Sequence, residues 1–420
     1  LMSSTFRFPT LPGDPFRGFT LQVHEALEPV RDAWRQVLQD GAAYVFQTWE
    51  WNRAWQATIG RAQGVQPRII EVRDAQQRPV AIWPLGIYRR CRLRVLDFLG
   101  DAVSDYRAPA LAADFVATLP PNAFEALWRA IVRSIRDIDL IVLRRMPAQL
   151  EADGEPVNPM VRLPGARHTE NAHATRLPDC VETFRKGLSS QRLSTMRRKL
   201  RRLEEVAPVR ITLRHDEGTL PPVMQALAQQ KSRRCRETGV RDLFAETGYL
   251  DFYRELAFEP GTGADVVVSS IQAGDTVVAA HWGACYRGRL YWILPTYEEG
   301  DWTRYSCGRA LLNAVIEWGI EHRMEVFDMT VGDESYKKDW ADHSLPLYEW
   351  RQAVTWQGRG ALVAQDVKVW ARSKPWVRNV TMRLKGVGTA PKLSLAKAGM
   401  FARLMAFVAG NKGLSAAGRR

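Results

Sequence analysis

Within residues 290–340, Pro295, Gly308, Asp328, Glu334 and the adjacent Tyr336 and Lys337 stand in an order that chemistry can use. Pro295 stands near the end of an apolar run; it cannot donate to a ladder, so it marks an edge or bulge where pairing is broken. Backbone N–H groups left free there, around Leu294, are placed to polarise a carbonyl as an oxyanion hole does. Tyr305-Ser306-Cys307-Gly308-Arg309 then opens an amphipathic run. A glycine at a helix start lets the backbone approach a ligand closely, and the free amides and helix dipole favour a phosphate. Together these parts suit a pantetheine pyrophosphate ligand such as a coenzyme A thioester. A loop with a helix-capping glycine has the same sequence appearance.

Direct attack on a thioester needs a base for the acceptor and an acid for the departing thiolate. His281, one strand earlier, titrates near working pH and is the first base candidate; a core histidine bonded to backbone is the equal alternative. Asp328 and Glu334 are the rival carboxylates, and Asp328 also suits pinning the loop after it. Tyr336 and Lys337 offer a donor to the thiolate or a hold on a phosphate, with Tyr297 and Tyr305 competing for the acid role. The catalytic candidates are therefore His281, Glu334, Asp328 and Tyr336. The cofactor-binding candidates are Leu294, Tyr305, Cys307, Gly308, Arg309 and Lys337. A thiol at a helix start is acidified, but no His–Asp pair is spaced to serve Cys307 in a covalent route. Earlier in the chain Asp101, Ser104, Asp105 and Tyr106 form a polar knot after a strand. Asp105 and Tyr106, joined by Tyr297, are the acceptor-binding candidates, although turn chemistry explains the knot about as well.

These residues need α/β elements to place them. Helical patterns run through Leu27–Leu38 and 49–59, strand-like runs through 68–72, 79–85 and 94–99, then a helix over 123–136 and an apolar run over 138–143. Residues 151–174 are polar, rich in Pro, Gly, Asn and His, and aperiodic, which predicts an interdomain crossing. A second α/β unit follows. It opens with a helix over 184–206 whose one face is strongly basic, with eight Lys or Arg between Arg185 and Arg202. Further helices are expected over 223–237 and 249–258, strands over 265–272, 276–286 and 290–297, a helix over 308–322 and a strand over 326–330. Short amphipathic pieces at 362–370 and 393–408 end the chain.

At 420 residues the chain exceeds one typical core, and two domains plus a tail are expected. No apolar run is long enough to span a bilayer and no signal peptide is expected. The five cysteines, Cys91, Cys180, Cys235, Cys285 and Cys307, never form a CxxC pair, which fits free thiols in a reducing compartment and no metal site. The formal charge of +13 is a local property: residues 359–420 hold 13 Lys or Arg and the single acid Asp366, leaving the body nearly neutral. Trp370, Trp376, Met400, Phe401, Leu404, Phe407 and Val408 interleave with those bases. That mixture predicts a segment lying in an anionic membrane interface, with nucleic acid the less favoured partner.

The segments DFLGDAVSDYRAP (97–109), VVAAHWGACYRGRLYWILPTY (277–297), RYSCGRALLNAVIEWGI (304–320) and FDMTVGDESYKKDW (327–340) resemble the CelD/BcsL family of GNAT-type acetyltransferases, relatives of the FemABX aminoacyltransferases. The resemblance covers roughly residues 20–350, with Cys307 where family members often carry proline. It implies an α/β (α+β) fold of two tandem GNAT-like domains, mixed sheets flanked by helices, placed here at 19–165 and 175–356, with the basic amphipathic tail read above at 357–420. It further implies acyl-CoA as co-substrate and an amine- or hydroxyl-bearing acceptor, an exopolysaccharide precursor or, given the tail, a lipid amine of the sphingoid type. The expected location is cytoplasmic, peripheral to the inner membrane. FemABX-like transfer from aminoacyl-tRNA and a non-catalytic membrane adaptor are the alternatives.

Overall fold

The structure, a computed structural model, describes residues 3–7, 16–120, 123–150, 157–258, 264–334, 337 and 340–373. The first half runs β1 (Ser3–Arg7), β2 (Thr20–His24), α1 (Arg31–Asp40), α2 (Trp49–Trp55), β3 (Gln66–Arg73), β4 (Pro79–Arg90), β5 (Leu93–Phe98), β6 (Ala110–Leu111), α3 (Ala113–Thr118), α4 (Ala123–Ser134) and β7 (Leu140–Pro147). The second runs β8 (Arg167–Arg176), α5 (Val181–Gly187), α6 (Ser190–Glu204), β9 (Val209–Thr212), α7 (Leu220–Thr238), α8 (Tyr249–Phe258), β10 (Asp265–Ala273), β11 (Thr276–Tyr286), β12 (Arg289–Tyr297), α9 (Cys307–Glu321), β13 (Val326–Val331), β14 (His343–Ala353) and α10 (Trp356–Ser373).

Each half builds an antiparallel meander that ends in a short parallel pair, β5 with β7 and β12 with β13. The two meanders join into one 14-stranded sheet in the order β1-β2-β3-β4-β5-β7-β14-β8-β13-β12-β11-β10-β9, with β6 paired to β4 beside that path. The joint is made by β14, which leaves the second half to pair with β7 of the first while still pairing with β8. A mixed sheet with helices on its faces is the expected fold class.

Three apolar clusters fix the layers. One belongs to the outer face of the first half, under α3 and α4. Another packs α9 and α6 on the second half. The largest is shared: Trp34, Trp51 and Trp55 of the first half meet Leu227, Phe252 and Trp282 of the second. Trp51 lies edge-on to Phe252 at 5.1 Å and to Trp282 at 6.1 Å. Burying one such ring stabilises by about 3 kcal/mol, so the halves are welded by aromatic packing as well as by strand exchange.

Three local expectations change. Residues 167–174, the end of the expected irregular crossing, belong to strand β8, because β13 and β14 supply hydrogen-bond partners on both sides that sequence periodicity does not encode. The basic helix is two helices, broken where the Ser189 side chain caps α6 by accepting from the Arg192 N–H at 3.2 Å. Strand β14 has no counterpart among the expected elements. The amphipathic piece at 362–370 lies inside α10, and the piece at 393–408 falls outside the described residues.

Candidate acyl-transfer site

The parallel pairing of β12 with β13 lasts for three positions, Arg289↔Val326, Leu290↔Phe327 and Tyr291↔Asp328, and then stops. Beyond it β12 stays with β11 as far as Ala279↔Tyr297, while β13 stays with β8 through a register shift between Asp328 and Val331. Thr330 within that shift sits at φ 59°, where a β-branched residue is strained. The two strands therefore part like a V, and residues 292–297 face the gap with one edge free of strand pairing. Leu294, Pro295 and Thr296 lie on that edge. The first half has a matching gap between β5 and β7, but its own chain fills it. The Arg107 N–H donates to the Arg145 carbonyl at 2.9 Å, and Asp97 holds both Arg107 and Arg144.

At the mouth of the second gap α9 begins. Ser306 takes a left-handed turn at φ 53°, and the chain then winds into the helix. A Cβ on Gly308 would sit 3.3 Å from Cδ1 of Tyr297, so glycine lets the helix start press against the end of β12. The Lys199 ammonium of α6 donates to the Ser306 hydroxyl at 2.6 Å, and Arg304 and Arg309 are exposed beside it. The basic helix thus contributes positive charge to the helix N-terminus, where anions are already favoured. Arg192 of the same helix lies 3.7 Å over the Trp340 ring. Cys307 and Tyr305 turn their side chains into the α9-side core. Burial pushes the Cys307 thiol up to about 11, so it is no thiolate, and only its backbone faces the turn. Tyr297 is half-exposed at the strand end.

The remaining candidates separate onto two faces of the sheet. Phe327 and Met329 enter the α9-side core, so Asp328 between them points the other way, toward the first half. There it is fully buried and accepts from the Tyr106 hydroxyl at 2.6 Å, Arg289 at 2.7 Å and the Thr330 N–H at 2.8 Å. Three donors around one buried carboxylate make it a pin between the halves, and Tyr106 is part of that pin. His281 lies on the opposite face, stacked on Trp292 at 4.1 Å and 16°. Its ring nitrogens make no hydrogen bond of ordinary geometry, the Tyr291 backbone being the nearest electrostatic partner, and burial holds the imidazole down at about 3. A neutral ring sealed in a core is not placed to take a proton from an acceptor.

A second polar group lies beside Asp328 on the inner face. Asp105 bonds Arg145 at 3.0 Å and is linked to Thr330; burial raises its carboxyl above the usual range, against the pull of Arg145. Lys337 donates to the Val331 carbonyl at 2.7 Å and pairs with the exposed Glu334 at 3.0 Å. Its position is therefore with Asp105 and not at the α9 turn where a phosphate was expected. Lys231 of α7 joins this group: burial lowers its ammonium, with Cys235, Glu334 and Asp105 opposing. Sequence reading missed Lys231 because it is one of several polar residues on an ordinary amphipathic helix; nothing in its neighbours marks it. Tyr336 lies outside the described residues. Among the described residues no cluster of His, Cys, Asp and Glu could hold a metal ion, and no helix is long and apolar enough to cross a membrane.

Residues 190–338 match the family model described as an acetyltransferase (GNAT) domain. No curated protein sequence matches the chain. Among solved structures, FemX is similar over 78% of this chain and 96% of its own, with a TM-score of 0.53 at 10% identity. A tandem GNAT protein from the clavulanic acid biosynthesis pathway is similar over 80% and 99%, TM-score 0.45 at 10% identity. The C-terminal domain of a putative lysylphosphatidylglycerol synthetase from Agrobacterium fabrum is similar over 82% and 97%, TM-score 0.46 at 12% identity. The V-shaped gap with a helix starting at its mouth thus lies within the segment that matches the acetyltransferase (GNAT) model, and the α/β fold is GNAT-like.

Proposed function

We propose that this protein transfers an acyl group from a coenzyme A thioester to an amine or hydroxyl, using the β12/β13 gap for the thioester arm. The observation that carries the reading is the junction of that gap with the glycine-opened, lysine-braced start of α9. The pyrophosphate meets the amides of Cys307 and Gly308, the Arg309 amide being bonded to the Ser306 carbonyl, with the side chains of Lys199, Arg304 and Arg309 around it. The pantetheine arm lies along the free edge of β12, whose N–H groups near Leu294 polarise the thioester carbonyl. The acceptor enters from the inner face, and its proton passes to the Asp105–Lys231–Glu334–Lys337 group. Glu334 is the exposed carboxylate of that group and the residue we assign as base.

The membrane face is the proposed site of action. On α10, Trp356, Val363, Val367 and Trp370 recur at helical spacing and are 82%, 58%, 42% and 55% exposed. The chain from 359 onward holds 13 bases against one acid, and each base near an anionic surface contributes about 1 kcal/mol. A lipid amine is the acceptor this arrangement favours; the CelD/BcsL resemblance favours an exopolysaccharide precursor. FemABX-like transfer from aminoacyl-tRNA is the second reading, supported by the FemX-like fold and the exposed bases of α6. Mass spectrometry of products from acyl-CoAs of several chain lengths, offered with lipid amines, amino sugars and aminoacyl-tRNA, separates these outcomes. Thiol release matched by an acylated amine is expected. Acceptor modification only with aminoacyl-tRNA overturns the coenzyme A reading.

A further inference from the structure

A cavity of about 910 Å³ lies on the inner face beside the point where β5 and β7 part. Its wall is built from several segments of the first half, from the strands that join the halves, and from the turn after α7 of the second half. Arg89 and Arg90 come from the end of β4, Arg107 from the segment after β5, Arg144 and Arg145 from β7, and Arg241 from the turn after α7. Three acids, Asp101, Glu170 and Glu349, share the wall. Asp97, completely buried, fixes Arg144 at 2.6 Å and Arg107 at 3.5 Å, so these two guanidiniums are braced from behind. Four arginines together hold the Asp101 carboxyl below the usual range against its burial. Arg89 is exposed and, among the described residues, has no acid within ion-pair distance. Among the described residues Arg241 ion-pairs with the partly exposed Glu246.

Fixed guanidiniums converging from separate strands recognise phosphate oxygens, since each offers planar paired donors. The volume admits far more than one phosphate and is in the range of small-molecule sites. Asp101, Glu170 and Glu349 add acceptors suited to hydroxyl or amine groups on the same ligand. Arg145 supplies the link to chemistry: one guanidinium lines the cavity while pairing with Asp105 at 3.0 Å and Glu170 at 3.3 Å. Asp105 belongs to the polar group beside Asp328 on the inner face.

We propose that this cavity binds a small molecule bearing a phosphate or diphosphate, and that the ligand is the acyl acceptor, anchored by its phosphate with its nucleophile directed past Arg145. The acceptor role rests on the acyl-transfer reading; the binding does not. Two sources share the chemistry, a soluble nucleoside diphosphate or sugar phosphate and a phospholipid headgroup. The experiment is calorimetric titration of the full chain with pyrophosphate, ADP and soluble dihexanoyl phosphatidate. It is repeated on Arg89→Glu/Arg241→Glu in the cavity and on Lys199→Ala/Arg309→Ala at the α9 turn. Arg89 and Arg241 are chosen because, among the described residues, neither ion-pairs with Asp97, Asp101 or Asp105, and circular dichroism and melting confirm that both variants fold. Binding of at least one probe that weakens about tenfold or more in the cavity variant, and persists in the α9 variant, is expected. Preference for ADP assigns the soluble source and preference for phosphatidate the headgroup. Binding lost only in the α9 variant, or no binding by any probe, overturns the cavity assignment. Coenzyme A titrated into the same variants reports separately on the donor reading, so either can fail alone.

Discussion

Asp328 and Glu334 stand six positions apart in sequence, yet their environments divide their work. Asp328 accepts three hydrogen bonds while fully buried, whereas Glu334 is exposed and pairs with the Lys337 ammonium. Glu334→Gln is therefore expected to lower kcat about a hundredfold, the usual effect of removing a general base, with coenzyme A affinity unchanged. Full activity in that variant would remove Glu334 from the mechanism. His281 makes a different prediction. Its folded pKa, about 3, lies below its ordinary value of 6.5, so the unfolded chain binds a proton that the native one refuses. Its contribution to stability is present above pH 6.5 and is lost as pH falls toward 3, at up to about 1.4 kcal/mol per pH unit. His281→Phe keeps the stack on Trp292 and should flatten the stability curve in that window while leaving the pH–rate profile alone. Urea melts between pH 3 and 7 test the first part; a rate limb that moves in the variant would restore His281 to the chemistry. Residue types alone did not separate these cases, because a histidine on a buried strand and one in a cleft have the same letters around them.

At the scale of elements, the gap and the helix start were legible in the sequence. Pro295 announced an interrupted strand, and the Cys307-Gly308 pair announced a helix opening against it. What could not be read was which chain segments border the gap. The partner of β13 is β8, drawn from a polar stretch without periodicity, and the charge at the α9 turn comes through Lys199, distant in sequence. Such pairings are tertiary facts that local pattern does not encode. Lys337 illustrates the cost: adjacency to Tyr336 suggested a phosphate ligand, whereas its hydrogen bonds lead to Val331 and Glu334. The packing at Gly308 yields a direct test. An added Cβ already lies 3.3 Å from the Tyr297 ring, and a valine would force helix and strand apart at about 1–3 kcal/mol. Gly308→Val should keep the fold, with a melting temperature a few degrees lower, and lose transfer.

For the whole molecule, exchange of β14 and the shared tryptophan core make the two halves one body. Cutting between them should expose Trp51 and Trp282 and yield insoluble fragments rather than two stable domains. The exposed stripe on α10 belongs to this scale as well, since it faces away from the sheet while Gly358 packs against Asp139. Replacing Trp356 and Trp370 with serine is expected to reduce flotation with vesicles containing anionic lipid by about tenfold, while transfer to a soluble amine is unchanged. Equal flotation would leave the basic chain beyond α10 as the sole attachment or remove the membrane from the account.

The central claim, a thioester donor seated at the junction of the β12/β13 gap and α9, is tested most directly by calorimetric titration of coenzyme A into the wild-type chain and Gly308→Val. The account predicts saturable one-to-one binding to the wild type and at least about tenfold weaker binding to the folded variant. No binding to the wild type, or equal binding to both, would contradict it.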